Sequence, residues 1–298
     1  MRLLLLGANG QVGHSLREAL APLGEVVPAT RDGSLPGGGR AEVADLSQPE
    51  SLPGLVARVR PDRVVNAAAY TAVDRAETER ELAFRVNAEA PGLLSRACAE
   101  AGIPLTHFST DYVFSGESPR PWREDDPTGP LGVYGESKLA GEVAVREGGA
   151  AHQVFRLCWV YGPRGHNFML TMLRLARERG HLKVVDDQRG TPTSARRIAE
   201  AVAGAIKAAP EATGTWHLAA LGETSWHGFA AEIFRQAEER GLLPQAPGLE
   251  PIPSSAFPTP ARRPAYSRLD TTAFTRDFGL HLGDWREGLS EALRELAP

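Results

Sequence analysis

The chain has 298 residues, 42% of them hydrophobic and 23% charged, close to the average soluble domain, which excludes a disordered chain, a peptide hormone and a small disulfide module. Lys+Arg 33 against Asp+Glu 37 gives a net charge of −4, which argues against binding nucleic acid or an anionic membrane through bulk charge, while leaving room for a local basic pocket. Cys98 and Cys158 make no disulfide framework and no stretch reaches the roughly 18 apolar residues of a membrane span, so a cytoplasmic protein is expected.

The first half alternates short apolar runs with helical patterns, the habit of a parallel sheet covered on both faces. Arg2 to Leu6 reads as a buried strand. A helix follows over Gln11 to Leu23, with Val12, Leu16, Ala19, Leu20 and Leu23 at helical spacing. Glu25 to Ala29 is the second strand, and a Gly/Pro-rich loop covers Asp32 to Arg40. Pro49 to Arg58 reads as helix and Arg63 to Ala67 as strand. A helical stretch from Thr78 to Ala101, with Pro91 as an expected break, leads to a strand at Pro104 to Ser109. Helix Tyr134 to Glu147 and strand Gln153 to Val160 complete an α/β doubly wound parallel sheet, Rossmann-like in class, over residues 1–160.

Beyond 160 the pattern changes. Helices are expected at Asn167 to Arg179, Ala195 to Ala208 and Trp226 to Arg240, with a short strand at Thr215 to Leu218. The proline-rich run Pro251 to Pro264 precedes a helical C-terminus. Residues 161–298 read mainly as a smaller C-terminal substrate lobe, with a segment near 181–210 returning to the sheet domain.

Gly7-Ala8-Asn9-Gly10-Gln11-Val12-Gly13 has the G-x-x-G-x-x-G spacing between a strand and a helix. Gly7 permits a tight turn, Gly10 lets a pyrophosphate approach the backbone, and Gly13 lets the helix pack on the strand. The helix N-terminus then supplies free N–H donors. At the end of the second strand, Arg31 in Thr30-Arg31-Asp32 favours the 2′-phosphate of NADPH, and Asp32 keeps NADH open. Asp45-Leu46 reads equally as an adenine contact or as the lead-in to a helix.

Tyr134 and Lys138 stand four residues apart, on one helix face. A cation near a phenol favours its phenolate, which suits Tyr134 as a general acid toward a carbonyl oxygen. Lysine is scarce here, occurring only at Lys138, Lys183 and Lys207, so its retention beside Tyr134 is informative. The third member is expected to be a hydroxyl at the carboxyl end of a strand, and the segment Ser109-Thr110-Asp111-Tyr112 supplies it.

Together the glycine turn, the strand-end Ser/Thr and Tyr-x-x-x-Lys resemble the extended short-chain dehydrogenase/reductases. GQVG at 10–13, VNAAAYTAVDRAE at 65–77, STDYVF, VYGESKLAGE, DDQRGTPT at 186–193 and PTPARRP at 258–264 are similar, more narrowly, to the dTDP-4-dehydrorhamnose reductase family. The likeness covers nearly the whole chain. It implies NAD(P)H-dependent reduction of the C4 ketone of a dTDP-4-dehydro-deoxy sugar, with Tyr134 as proton donor, Lys138 tuning it and binding the nicotinamide ribose, and Thr110 beside the ketone. It implies that Gly10, Gln11 and Val12 touch the pyrophosphate, that Thr30, Arg31, Asp45 and Leu46 surround the adenosine, and that Ala69, Tyr70 and Thr71 lie along the cofactor. Asp111 and Trp159 would meet the sugar, although a core role for the tryptophan stays open.

A nucleotide sugar carries a diphosphate, whose site needs donors and cations. Asn167 at a helix start offers a backbone N–H, and Arg262-Arg263, held between Pro260 and Pro264, reads as a stiff clamp or as solvated surface. Trp226 fits stacking or core packing alike. The family is linked to Mg²⁺, yet no oxygen cage or metal-ligand spacing is recognisable, so no metal ligand is assigned. Homodimers occur among such relatives and are an expectation here. Two alternatives stand beside the reductase reading: a related nucleotide-sugar reductase or epimerase, and a non-catalytic module resembling the regulatory subunit of a methionine adenosyltransferase.

Overall fold

The computed structural model describes residues 1–296. Strand β1 (Arg2–Leu6) explains its own run of leucines: Leu3 and Leu5 enter one core, Leu4 and Leu6 the other, and all four are fully buried. Around it lie β2 (Glu25–Thr30), β3 (Glu42–Val43), β4 (Arg63–Asn66), β5 (Leu105–Thr110), β6 (His152–Leu157) and β7 (Gly214–His217). The sheet order is β3-β2-β1-β4-β5-β6-β7, and every pairing is parallel. Order reverses between β1 and β4, which opens the crevice at the carboxyl ends of the strands where such sheets take ligands.

Helices cover both faces. On one side, α1 (Gln11–Leu20) and α6 (Ala195–Ala208) bury Leu16, Leu20, Ile198, Val202 and Ile206. On the other, α2 (Leu52–Val59), α3 (Ala90–Ala101) and α4 (Val133–Glu147) enclose the second core. The lobe is built from α5 (Phe168–Glu178), α7 (Trp226–Glu239) and α9 (Trp285–Arg294), while α8 (Thr272–Phe278) packs Phe274 and Phe278 on Phe155 and Trp216 at the β6–β7 edge of the sheet. The lobe's apolar side chains, among them Met169, Phe229, Ile233 and Leu289, join the α1/α6 core without a break.

Several boundaries differ from the sequence reading, each for a local reason. The first helix stops at Leu20, and Ala21–Leu23 tightens into a 3₁₀ turn carrying Pro22. The Asp32–Arg40 loop contains a small hairpin, Ser34–Leu35 against Gly39–Arg40. Pro91 breaks nothing: a π-helical turn at Arg85–Glu89 precedes it, and the proline falls in the first turn of α3, where its missing N–H has no duty. Strand β6 ends at Leu157 because Trp159 turns to φ +43, outside the extended region. His181–Val185 pairs with Gly248–Ile252 in the lobe, so the chain returns to the sheet domain through α6 and β7 rather than from 181 onward.

Candidate active site

The first turn has the shape the glycines require. Gly7 has φ +75, and a Cβ there would stand 2.6 Å from the Ala68 nitrogen. A Cβ on Gly13 would meet the Gly7 carbonyl oxygen at 2.0 Å, so only glycine lets α1 start this close to β1. Gly10 is the extended residue before α1, and no side chain caps the helix. The first N–H groups of α1 therefore face the crevice, with Gln11 and Val12 opening the helix, a cradle fit for a pyrophosphate. The Gln11 amide is tied to the lobe, accepting from Asn167 Nδ2 at 2.8 Å.

At the end of β2, Thr30 Oγ1 donates to the Ser34 carbonyl at 3.0 Å, and Asp32 accepts from the Ser34 N–H at 3.2 Å. Hydrogen bonds from Ser34 hold the Asp32 carboxyl below its ordinary range. Asp32 is thus engaged in the hairpin, while Arg31 is exposed. Asp45 caps its own turn, accepting from the Ser47 N–H at 2.9 Å and hydroxyl at 2.8 Å, and Leu46 is buried beside it. The strip Ala69-Tyr70-Thr71 follows β4 and is held by a residue the sequence reading missed. Asn87, fully buried, accepts from the Tyr70 N–H at 2.8 Å, donates to the Tyr70 carbonyl at 3.0 Å and reaches Ser137 on α4 at 3.0 Å. Its signal was a lone amide in a helical stretch, four residues before Pro91.

Strand β5 ends in Thr110, and α4 brings Tyr134 beside it. Tyr112, also unassigned from sequence, meets Tyr134 edge to face with ring centroids 5.5 Å apart. Thr110 Oγ1 donates to Asp111 Oδ1 at 3.0 Å and accepts from the Tyr112 N–H at 3.3 Å. Asp111 is buried and also takes hydrogen bonds from Ser267 and Cys158; burial pushes its carboxyl up to about 6. Burial likewise pushes the Tyr134 phenol up to about 12, the Asp111 charge adding to the rise and the Thr110 hydroxyl opposing it.

Lys138 is buried, and its ammonium donates to the Phe108 carbonyl at 2.7 Å. Burial brings it down to about 8, against the pull of Glu142. The expectation that this cation depresses the phenol is not met in this arrangement: the enclosure of Tyr134 outweighs it, and Lys138 is turned to a carbonyl of β5. Beneath them, Glu142 accepts from Ser109 at 2.5 Å and from both ends of Arg156 at 2.8 Å. Burial raises the Glu142 carboxyl, but the Arg156 pair more than offsets it and leaves it below the usual range.

On the lobe side, Trp159 stacks on Trp226 with centroids 3.6 Å apart and planes 10° from parallel. A Cβ on Gly190 would lie 2.6 Å from the Trp159 ring, so that glycine makes its seat. Both tryptophans are half-buried, neither wholly core nor free. Asn167 does begin α5, but its side chain is spent: it accepts from the Leu170 N–H at 3.0 Å and donates to the Gly162 and Arg164 carbonyls at 2.8 and 3.2 Å. The arginine pair does not form a joint clamp. Consecutive residues of an extended chain point apart. Arg262 is exposed, 3.9 Å from Glu117, whereas Arg263 makes a two-pronged pair with Asp74 at 3.1 and 2.8 Å.

Among the described residues no group of three or more His, Cys, Asp or Glu could hold a metal ion, which leaves the Mg²⁺ association without a counterpart, and no helix is long and apolar enough to cross a membrane.

Residues 1–297 match the family described as RmlD substrate binding domain. The dTDP-4-dehydrorhamnose reductase of Shigella flexneri is 46% identical over 299 residues, covering 99% of this chain and 98% of that protein. The crystal structure of a dTDP-4-dehydrorhamnose reductase from Clostridium acetobutylicum superposes with a TM-score of 0.89 at 34% identity, with 99% of each chain covered. That of Bacillus anthracis, solved in complex with NADP, gives a TM-score of 0.89 at 33% identity and the same coverage. A seven-stranded parallel sheet with this glycine turn, and with threonine, tyrosine and lysine converging at its crevice, accords with those likenesses: the chain belongs to the dTDP-4-dehydrorhamnose reductase family.

Proposed function

We propose that this enzyme reduces the C4 ketone of dTDP-4-dehydro-L-rhamnose to dTDP-L-rhamnose in the cytoplasm, with NADPH preferred over NADH. What supports the reading is Thr110 at the carboxyl end of β5, with Tyr134 against Tyr112 and Lys138 on the Phe108 carbonyl, both carried by α4. The sheet domain holds the dinucleotide, and the lobe, with Trp159 and the segment around Arg262 and Arg263, encloses the nucleotide sugar.

Bound nicotinamide cofactor supplies the hydride. Gly10 and the first N–H groups of α1 hold its pyrophosphate, and Arg31 takes the 2′-phosphate, since Asp32 is turned away into the hairpin. Tyr134 gives its phenol proton to the ketone oxygen as that oxygen becomes an alkoxide. A phenol pushed up to about 12 is protonated throughout the working range, the state an acid in the reductive direction needs. Lys138, held by the Phe108 carbonyl one turn along α4 from Tyr134, binds the nicotinamide ribose through its ammonium. Thr110 and Asn87 order the two sides of this centre, the first at the phenol and the second through Tyr70 and Ser137.

The test is the oxidation of NADPH against NADH, followed by nicotinamide absorbance, with dTDP-4-dehydro-L-rhamnose generated in situ. Substrate-dependent oxidation, faster with NADPH, is expected. Cofactor binding without turnover would overturn the reductase reading and favour a different sugar or a binding module.

A further inference from the structure

Tyr134 stands in the first turn of its helix, the part with the least internal support. The first N–H groups of a helix have no partner within it, and helices fray from their ends. Gly132 precedes α4 and, having no side chain, offers no cap. The cap comes from a distant part of the chain. Glu77 Oε1 accepts from the Val133 N–H at 3.0 Å, across 56 residues of sequence.

Gly132 is the residue that admits this contact. Its backbone is extended, a conformation open to any residue, so no positive φ calls for glycine there. A Cβ on it would stand 2.6 Å from Glu77 Oε1 and 3.6 Å from the carboxyl carbon. It would meet no other atom within 4 Å beyond its chain neighbours. The space left by the missing side chain is thus the seat of one carboxylate.

The segment around Glu77 also packs on the same turn. Ala76, Ala83 and Val133 form a small buried cluster, and Tyr70, Phe84 and Tyr134 pack against it. Arg80 reaches Glu136 at 2.7 Å, but both side chains are exposed and such a pair holds little. Lys138 lies one turn further along and has its own anchor in the Phe108 carbonyl. The fastening at Val133 therefore bears chiefly on the next residue, Tyr134.

We propose that Glu77 is a positioning residue for proton transfer: by capping α4 at Val133 it holds in place the turn that carries Tyr134. The proposal rests on the reading of Tyr134 as the acid of a ketone reductase, and it adds the residue that keeps that acid in position. Glu77 acts through the backbone of α4. A reacting group displaced by about 1 Å can lose up to about 100-fold in rate, so a frayed first turn lowers kcat. Lys138 and the glycine turn keep their own supports, so cofactor binding is unaffected.

Glu77→Ala removes the acceptor, whereas Glu77→Gln keeps an acceptor oxygen without the charge. Both are assayed with NADPH and dTDP-4-dehydro-L-rhamnose generated in situ, with rates expressed per NADPH site counted by fluorescence titration. In Glu77→Ala, kcat should fall about 10-fold while the KM for NADPH stays within about twofold. Glu77→Gln should retain most of the wild-type kcat. An unchanged kcat in the alanine variant overturns the proposal. So does an equal loss in both variants, or a rise in the KM for NADPH that matches the fall in kcat, the mark of general loosening.

Gly132→Ala supplies a second route if Glu77→Ala does not fold. Its methyl group displaces the carboxylate from Val133 and leaves the extended backbone unstrained, so the same fall in kcat is expected; an unchanged kcat there also overturns the proposal. Tyr134→Phe separates the two levels. If it keeps turnover, the underlying reading fails; if it loses roughly 10²–10⁴-fold while Glu77→Ala and Gly132→Ala keep theirs, the positioning role alone fails.

Discussion

Arg31 and Lys138 each carry a prediction that depends on one side chain. With Asp32 held by Thr30 and Ser34, Arg31 is the residue at the end of β2 left to meet a 2′-phosphate. A charge-assisted contact of that kind contributes about 1.5–3 kcal/mol, so Arg31→Ala should raise the KM for NADPH by roughly 10- to 100-fold and leave that for NADH within about twofold. Steady-state kinetics with both cofactors check this. For Lys138, burial brings the ammonium down from its ordinary 10.5 to about 8. The ammonium offered to the nicotinamide ribose is present below that value and lost above it, so turnover in the reductive direction should fall as pH rises through about 8. A pH profile of kcat with saturating cofactor measures the limb, and activity that stays level to pH 9 would separate Lys138 from the chemistry.

Helix α4 presents its chemistry to the crevice because its lower turns are fastened to the sheet. Glu142 is buried against Arg156 of β6 and Ser109 of β5, two turns beyond Tyr134. Arg156→Ala would leave that carboxylate uncompensated in the interior, a loss of about 3–5 kcal/mol, readable as a lower midpoint in urea. At this scale much was legible in the sequence. The unbroken leucines of β1, the period of α6 and the glycine turn were read within a residue or two, because strong local patterns coincide there with tertiary burial. What escaped were features set by distant partners. Pro91 is harmless only because of the π-helical turn before it, Asn87 matters only because Tyr70 lies across from it, and Arg263 is spoken for only because Asp74 is brought to it from 189 residues away. Hydrogen bonds of that span leave no periodicity to read.

Across the whole molecule, the Asp74–Arg263 pair joins the short helix Val73–Ala76, just after Ala69-Tyr70-Thr71, to the proline-rich segment around Pro260 and Pro264. Asp74 also accepts from the Ala261 N–H at 3.2 Å. Asp74→Ala should loosen that segment and raise the KM for the nucleotide sugar about 10-fold, the equivalent of one charge-assisted hydrogen bond of ~1.5 kcal/mol. Cofactor affinity, measured by fluorescence titration, should stay within about twofold. A matching loss of cofactor binding would mean instead that the pair supports the sheet domain.

The apolar core that passes without a break from the face of the sheet into the lobe has a consequence for how the molecule can change. Leu16 of α1 and Ile233 of α7 belong to one packed interior, so the lobe owns no complete interior that could travel with it. It is not an exchangeable cassette. Grafted onto another sheet it would arrive with half of its packing missing, and severed from its own it would expose the other half. A new sugar preference in this lineage is therefore reached by exchanging side chains at the rim of the crevice, one at a time, on a body that folds and unfolds as a unit.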